Sequence, residues 1–345
     1  MEFHEAANFL FGLRRYPPRP GLDATRDLLA FLDDPQDGIT FVQVAGSNGK
    51  GSTATMVASV LGEAGVDVGL YTSPHMNDVR ERVRVNGRMI TERALTEYAE
   101  TIRPYVLERA ADGESPTFFE VLTGLAFWEF NRQNVDCGVL EVGIGGRYDA
   151  TSVISPTASA VTSVALEHTE MLGDTVEEIA RDLAHVAPRR RELVTAATGD
   201  ARAAIRETTD VLTVGADGDI SVSYGGRTGI ESAVELSGFD WNIETRLPLL
   251  GAHQADNAGV ATALSRQVAD DLGVDLSEEH IKQGLRAAHW PGRFEILNQN
   301  PLVVLDGAHN PGACERLTET LAEFEYDDLY LVFGALADKD HRGMA

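Results

Sequence analysis

Residues 46–53, Gly-Ser-Asn-Gly-Lys-Gly-Ser-Thr, constrain this chain more than any other stretch. They follow the apolar, β-branched run 39–45 (ITFVQVA), which reads as a buried strand, and precede a helix expected from about Gly51 to Ala64. A glycine turn between a strand and a helix N-terminus aims several backbone N–H groups at one point, and the helix dipole makes that point attractive to phosphate. Gly46, Gly49 and Gly51 supply the turn. Lys50 is positioned to reach β- and γ-phosphates, and the Ser52 hydroxyl to face Mg²⁺. The general phosphate-loop pattern has four residues between its first glycine and the Gly-Lys pair. Counted back from Gly49, that first position is Val44, so this loop is a variant. An ordinary glycine turn would account for the glycines, but not for a lysine and a hydroxyl in the required order.

The weight on Lys50 grows with composition. The chain has 345 residues and a formal net charge of −25, and its only lysines are Lys50, Lys282 and Lys339. A lysine kept where arginine supplies nearly all other cations is expected to do what arginine cannot. Acid excess with scarce lysine suits a surface hydrated in concentrated salt and points to a halophilic source. Such a surface repels nucleic acid and argues against a nucleic-acid partner. No apolar run reaches the roughly 20 residues of a bilayer span, and Met1–Leu13 lacks the basic start and cleavage site of a signal peptide. A cytoplasmic protein without a membrane partner is expected. Cys137 and Cys314 are too far apart in sequence to suggest a disulfide framework or zinc motif, and read as small buried hydrophobes.

The length suggests about two domains. Helices are expected over 3–14, 22–33, 91–111 and 117–133, strands over 66–71 and 137–142, and an Asn-Gly hairpin over 83–88. A second glycine turn, 143–146, is followed by strand 158–165, helix 174–186 and strand 192–196. This alternation predicts an α/β fold with a parallel sheet covered on both faces. Residues 211–249 read as a hairpin-rich extension, and 253–271 and 277–287 as helices. A boundary is expected at Pro291-Gly292-Arg293, dividing the chain into 1–292 and 293–345. Strand 302–306, helix 312–324 and strand 329–334 then form one β-α-β unit, too little for a domain, which reads as truncated or as completed by another polypeptide.

Val42–Thr53 (VQVAGSNGKGST) resembles the nucleotide loop of the folylpolyglutamate synthase/dihydrofolate synthase family, within the Mur ligases. Further resemblance lies in YTSPH (71–75), ERVRVNG (81–87), PTFFEVLTGLAF (116–127), LEVGIGGRYDAT (140–151), EHTEMLG (167–173), HQADNA (253–258), WPGRFE (290–295), DGAHNP (306–311) and FGALADKD (333–340). Other Mur ligases usually carry Asn-Gly-Lys-Thr in the loop, so Lys-Gly-Ser favours the folate branch.

The resemblance implies a Mur-ligase fold: a parallel-sheet phosphate-loop ATPase domain followed by a Rossmann-like C-terminal domain, here incomplete. It implies an ADP-forming ligase adding L-glutamate to dihydropteroate or a folate through an acyl phosphate, with ATP, two Mg²⁺ and K⁺ as a further ion. It implies a monomer; the short C-terminal unit reads as completed by or fused to another folate-pathway chain. Its metal set falls on Ser73, Glu141 and His168, with Ser52 adjacent. Glu141 by position lies at the mouth of the parallel sheet, where ligands bind, with a solvated strand-end carboxylate as the lesser reading, and His168 alone would not be singled out. Asn48 joins the ATP loop, Asn257 falls on the adenine side, Asp306 on the ribose contact, and Arg293 and His309 near the triphosphate, with His309 and Lys50 as the catalytic pair. Without the resemblance, Arg293 would read as a linker arginine and Asp306 as a turn former. The pterin pocket falls on Gly21, Leu22, Asp23 and Arg26 and on Thr117, Phe118, Phe119 and Glu120, with Gly146, Arg147, Tyr148 and Asp149 continuing its wall; the two phenylalanines read equally as core aromatics.

One position departs from the family. Leu183 stands where the family carries a metal-organising lysine, often carbamylated. Either activity is weakened or lost, or Asp182 or His185 supplies the missing polar group. The competing functions are another Mur-type ligase, acting on a cell-wall or poly-amino-acid precursor, and a non-catalytic nucleotide-binding subunit.

Overall fold

The computed structural model describes residues 1–17, 21–337 and 340–344. Helices α1 (Phe3–Gly12) and α2 (Asp23–Phe31) precede β1 (Thr40–Ala45) and α3 (Lys50–Glu63). Next come β2 (Val68–Tyr71), β3 (Val83–Val85), β4 (Arg88–Met89), α4 (Glu92–Ala111), α5 (Phe118–Gln133) and β5 (Cys137–Glu141). The alternation continues through β6 (Ala158–Val161), α6 (Thr169–Leu172), α7 (Val176–Leu183), β7 (Leu193–Thr195), α8 (Gly199–Arg206) and β8 (Val211–Gly215). A meander, β9 (Ile220–Thr228), β10 (Glu231–Ser237) and β11 (Asn242–Leu247), leads to α9 (Ala252–Leu272) and α10 (Glu278–Ala287). After these lie β12 (Glu295–Gln299), β13 (Leu302–Leu305), α11 (Pro311–Leu321) and α12 (His341–Met344).

One sheet of 11 strands runs in the order β11-β10-β9-β8-β7-β6-β1-β5-β2-β3-β4. From β8 to β2 every neighbouring pair is parallel. Its two flanks end in antiparallel ribbons, β3–β4 and β9–β10–β11. β1 is central, and its run is buried apart from Thr40, as a strand covered on both faces must be. One face carries α3, α9 and α10, which enclose Met56, Val60, Val260, Leu264 and Ile281. The other carries α1, α4 and α5 around Leu95, Phe127 and Phe130, and a smaller cluster lies under α7 and α8. Helix α5 starts cleanly because Thr117 and Glu120 form a reciprocal capping box. Among the described residues, no helix is long and apolar enough to cross a membrane.

Three elements differ from the expectation. The strand expected to reach residue 165 stops at Val161, because Thr162, Ser163 and Ala165 turn aside to bond the phosphate loop. Residues 211–215, expected within a hairpin extension, instead form β8, a parallel strand of the main sheet, and the meander starts only at β9. Residues 329–334 form no strand: Tyr330 and Val332 are 88% and 99% exposed, and β13 pairs antiparallel with β12 rather than in a β-α-β unit. A run as apolar as Leu-Tyr-Leu-Val-Phe needs strands on both sides to be buried. Among the described residues nothing pairs with it.

Candidate active site

The phosphate loop lies at the carboxyl end of β1 and is sewn to the neighbouring strand's loop. Ser47 N–H donates to Ser163 O at 2.8 Å, and Asn48 N–H to Ser163 Oγ at 3.0 Å. In return, Thr162 Oγ1 donates to Asn48 O at 2.7 Å. Two glycines are required by close approach. A Cβ on Gly46 (φ +137°) would lie 2.2 Å from Thr162 Oγ1, and one on Gly49 (φ +89°) 2.4 Å from Asn257 Oδ1. The loop therefore turns its backbone inward with no side chain in the way. Lys50 folds over it, its Nζ donating to Gly46 O at 2.7 Å and Ser47 O at 3.2 Å.

The loop forms one wall of a cleft of about 260 Å³. The same cleft is lined by Asn48, Gly49, Lys50, Gly51 and Ser52 from the loop, by Glu141 at the end of β5, by Ser73 and His168 from two further loops, and by Asn257 from α9. Arg293, Asp306 and His309 close it from the C-terminal side. Gly46 lines a smaller adjoining cavity. All the expected nucleotide and metal residues thus meet at one place, although they come from separate stretches of the chain.

Glu141 is the buried charge of the site, 5% exposed at the end of β5. Its Oε2 accepts the Ser73 N–H at 2.8 Å. Burial pushes its carboxyl above the usual range, while Lys50, the Ser73 N–H, Arg293 and Arg82 pull the other way. Ser52 and Ser73 bring hydroxyl oxygens to the same cleft. Among the described residues no three His, Cys, Asp or Glu side chains form a metal cage. An oxygen-rich set with one buried carboxylate fits Mg²⁺, which keeps most of its ligands as water and phosphate. The imidazole of His168, exposed beside this set, is a softer donor than Mg²⁺ prefers.

Other expected residues spend their polar atoms within the chain. Asp306 accepts the N–H groups of Phe294 and Ala308, each at 2.7 Å, and so fixes the entry to the C-terminal segment. His309 Nδ1 pairs with Gly307 O at 2.8 Å. Asn257 Nδ2 donates to Gln254 Oε1 at 2.9 Å.

The expected pterin residues lie outside the cleft. Phe119 packs tilted against Tyr71, and Phe118 stacks on Phe11 with centroids 5.6 Å apart. Thr117 and Glu120 satisfy each other through the capping box. Asp149 is buried, and its carboxylate accepts from Gly143 N, Ile144 N, Thr151 N and Thr151 Oγ1, so it braces the glycine turn. Arg147 is exposed with its guanidinium over Tyr148. Gly21 and Leu22 lead into α2, where Asp23 and Arg26 form an exposed ion pair at 3.3 Å. The link to the cleft is Gly143, which lines it: a Cβ there would meet Phe119 Cζ at 2.7 Å and Asp149 Oδ2 at 2.9 Å.

Leu183 is 2% exposed and lines the small cavity behind the loop with Lys50, Glu167 and His168. Neither proposed substitute replaces it there. Asp182 accepts Gly146 N–H at 2.8 Å, and His185 Nδ1 faces its own helix at Arg181 O and Asp182 O.

Sequence reasoning missed two parts of the site. Asn310, 6% exposed at the N-cap of α11, donates to Asn48 Oδ1 at 3.1 Å and to Glu167, and accepts Ala313 N–H. It thereby pins the C-terminal segment to the phosphate loop. His253 and Arg316 also line the cleft. The Asn-Pro pair at 310–311 did carry the helix-start signal.

Comparison with known proteins gives this geometry a family. Residues 44–265 match the Mur ligase middle domain, and 292–345 match the Mur ligase, glutamate ligase domain. The whole chain is 62% identical to a probable bifunctional folylpolyglutamate synthase/dihydropteroate synthase of Halobacterium salinarum, but spans only 42% of that protein's length. It is 36% identical to the folylpolyglutamate synthase of Lacticaseibacillus casei over 92% of this chain and 76% of that one. Among solved structures, an FPGS-AMPPCP-folate complex superposes with a TM-score of 0.86 at 33% identity, over 94% of this chain and 80% of the other. The phosphate loop, the parallel sheet that presents it and these likenesses agree: the chain belongs to the folylpolyglutamate synthase/dihydrofolate synthase family of the Mur ligases.

Proposed function

We propose that this chain is an ATP-dependent ligase that joins L-glutamate to a pterin-bearing carboxylate, dihydropteroate or a folate. The observation that carries the reading is the convergence of Lys50, Arg293, Ser73 and buried Glu141 on one cleft beneath the phosphate loop. A carboxylate does not acylate an amine unaided. Its oxygen attacks the γ-phosphorus of ATP, ADP leaves, and the acyl phosphate is attacked by the glutamate amine, releasing phosphate. No protein nucleophile is needed, so the work is positioning and charge neutralisation.

In this reading the loop N–H groups hold the phosphates, and Lys50 exchanges its carbonyl partners for β- and γ-phosphate oxygens. Arg293 adds a second positive charge from the opposite wall, near His309. Asn257 takes the adenine side and Asp306 the ribose. Mg²⁺, held by Glu141, Ser73 and Ser52 with His168 beside a second ion, would neutralise phosphate charge; K⁺ is proposed as a further ion. Phe118, Phe119 and the 21–26 and 146–149 segments form the pterin side, with Asp149 bracing the turn rather than touching the ring.

The boundary at residues 292–293 is proposed as the domain division, supported by the separate spans of the two family matches. The bifunctional name and greater length of the Halobacterium relative support a chain that works joined to a dihydropteroate synthase. A cytoplasmic site and a single copy per assembly complete the proposal.

The test is ADP release from MgATP. It should require both dihydropteroate or tetrahydrofolate and L-glutamate, and Lys50→Met should reduce it roughly 100- to 1000-fold. ADP release indifferent to both folates would refute the reading.

A further inference from the structure

Among the described residues, nine arginines pair with carboxylates, some of them with two. Arg80 pairs with Asp78 and Glu92, Arg109 with Asp27 and Glu114, and Arg191 with Asp270 and Asp271. With 54 acidic residues there is no shortage of partners. Arg82 stands out by its burial, with Arg14 beside it at the same aromatic ring. Arg82 is 7% exposed, yet among the described residues neither arginine forms an ion pair.

Both guanidinium groups gather at one ring. Arg14 lies 4.7 Å from the centroid of Phe118 and Arg82 lies 5.3 Å from it. Cation–π attraction gives each some return, but it does not neutralise two like charges held side by side. Arg82 Nε donates to His75 Nδ1 at 2.8 Å, and Tyr71 hydroxyl is its other neighbour. A guanidinium has five N–H donors, so most of the Arg82 fork has no anionic acceptor within the chain. A buried cation left in this state is costly unless something supplies the missing negative charge.

The position says what that ligand carries. Phe118 offers an aromatic surface at the start of α5, and Arg82 is among the charges that act on Glu141 in the cleft. His75, which holds Arg82, is two residues beyond Ser73, whose N–H binds Glu141. The pair therefore lies against the aromatic wall, and His75 ties it to the Ser73 loop that lines the phosphoryl-transfer cleft. We propose that Arg82 and Arg14 bind the carboxylate of the acceptor substrate, the free edge of the Arg82 fork accepting it directly and Arg14 covering it from the N-terminal turn. The site takes a flat-ringed carboxylate. This proposal rests on the reading of the acceptor as a pterin-bearing acid, and makes Arg82 a binding residue for it. A planar fork matches a carboxylate in two hydrogen bonds, which lysine does not reproduce.

The test measures pteroate and benzoate binding to the whole chain and to Arg82→Gln, Arg82→Lys and Arg14→Gln. A non-hydrolysable ATP analogue with Mg²⁺ serves as control. Arg14 is exposed, so its variant keeps the test open should the buried substitution fail to fold. The expected result is a roughly ten- to hundredfold loss of pteroate affinity in both glutamine variants, only part of it recovered by Arg82→Lys, with nucleotide affinity kept within about twofold. Benzoate should lose affinity in the same variants. If pteroate fails to bind even the unaltered chain while benzoate still depends on both arginines, the folate reading falls and the carboxylate pair stands. If the variants bind both acids as the unaltered chain does, the proposal is overturned.

Discussion

At the scale of single residues, the buried and half-buried polar groups report where the fold depends on pH. His253, at the cleft, has its pKa lowered from 6.5 to about 4 by burial, with Arg316 and Arg293 acting in the same direction and Glu319 against them. Above about pH 6.5 the ring is neutral whether the chain is folded or not. As pH falls from 6.5 toward 4, the unfolded chain takes up a proton that the folded chain resists, so stability is lost across that window. The loss is on the order of 1–3 kcal/mol. Denaturant titrations at pH 7 and pH 5 should show it, and His253→Gln should flatten the difference. Lys50 was legible in the sequence because a strand, glycines, a lysine, a hydroxyl and a helix follow one another in a fixed order. Asn310 was not, because its bond to Glu167 closes across 143 residues and no local pattern announces it. Arg82 was hidden for the opposite reason: its sequence context is an ordinary hairpin, and only its buried, unanswered charge sets it apart.

At the scale of elements, the site depends on how tightly α3 is held. Behind the phosphate loop, α3 packs against α9 and α10. Gly284 of α10 is the point of closest approach: a Cβ there would lie 2.4 Å from Val60 Cα, and Ser59 Oγ donates to Gly284 O at 2.7 Å. Backbone cannot yield as a side-chain tip can. Gly284→Ala is expected to cost about 1–3 kcal/mol, read as a lower midpoint in guanidinium unfolding. The helices were foreseeable from their apolar periodicity, and the central strands from β-branched runs. What the periodicity could not convey was pairing. Ala158–Val161 continues into residues that look equally strand-like, but their hydroxyls are taken by the phosphate loop. Likewise Leu302–Leu305 pairs with the antiparallel neighbour β12, which no pattern marked as a strand. An apolar run specifies that it needs neighbours, not which ones it will meet.

At the scale of the whole molecule, a net charge of −25 with so few lysines makes self-repulsion the dominant long-range term. The Debye length shrinks from about 10 Å at 0.1 M salt to about 3 Å at 1 M. Tm is therefore expected to rise steadily as KCl is raised over that range. A flat or falling Tm would mean that short-range ion pairs, which salt weakens, outweigh the net charge. The layered α/β architecture was legible from alternation alone, while the assembly of one cleft from the phosphate loop, several other turns, α9 and α11 required the chain to be folded. That cleft is read as the place where a carboxylate displaces ADP and is then displaced by an amine. The most direct test follows one atom. Dihydropteroate labelled with ¹⁸O in its carboxylate is incubated with the chain, MgATP and L-glutamate, and the phosphate released is analysed by mass. Transfer through an acyl phosphate places one carboxylate oxygen in each phosphate formed. Amide formation with unlabelled phosphate would contradict it.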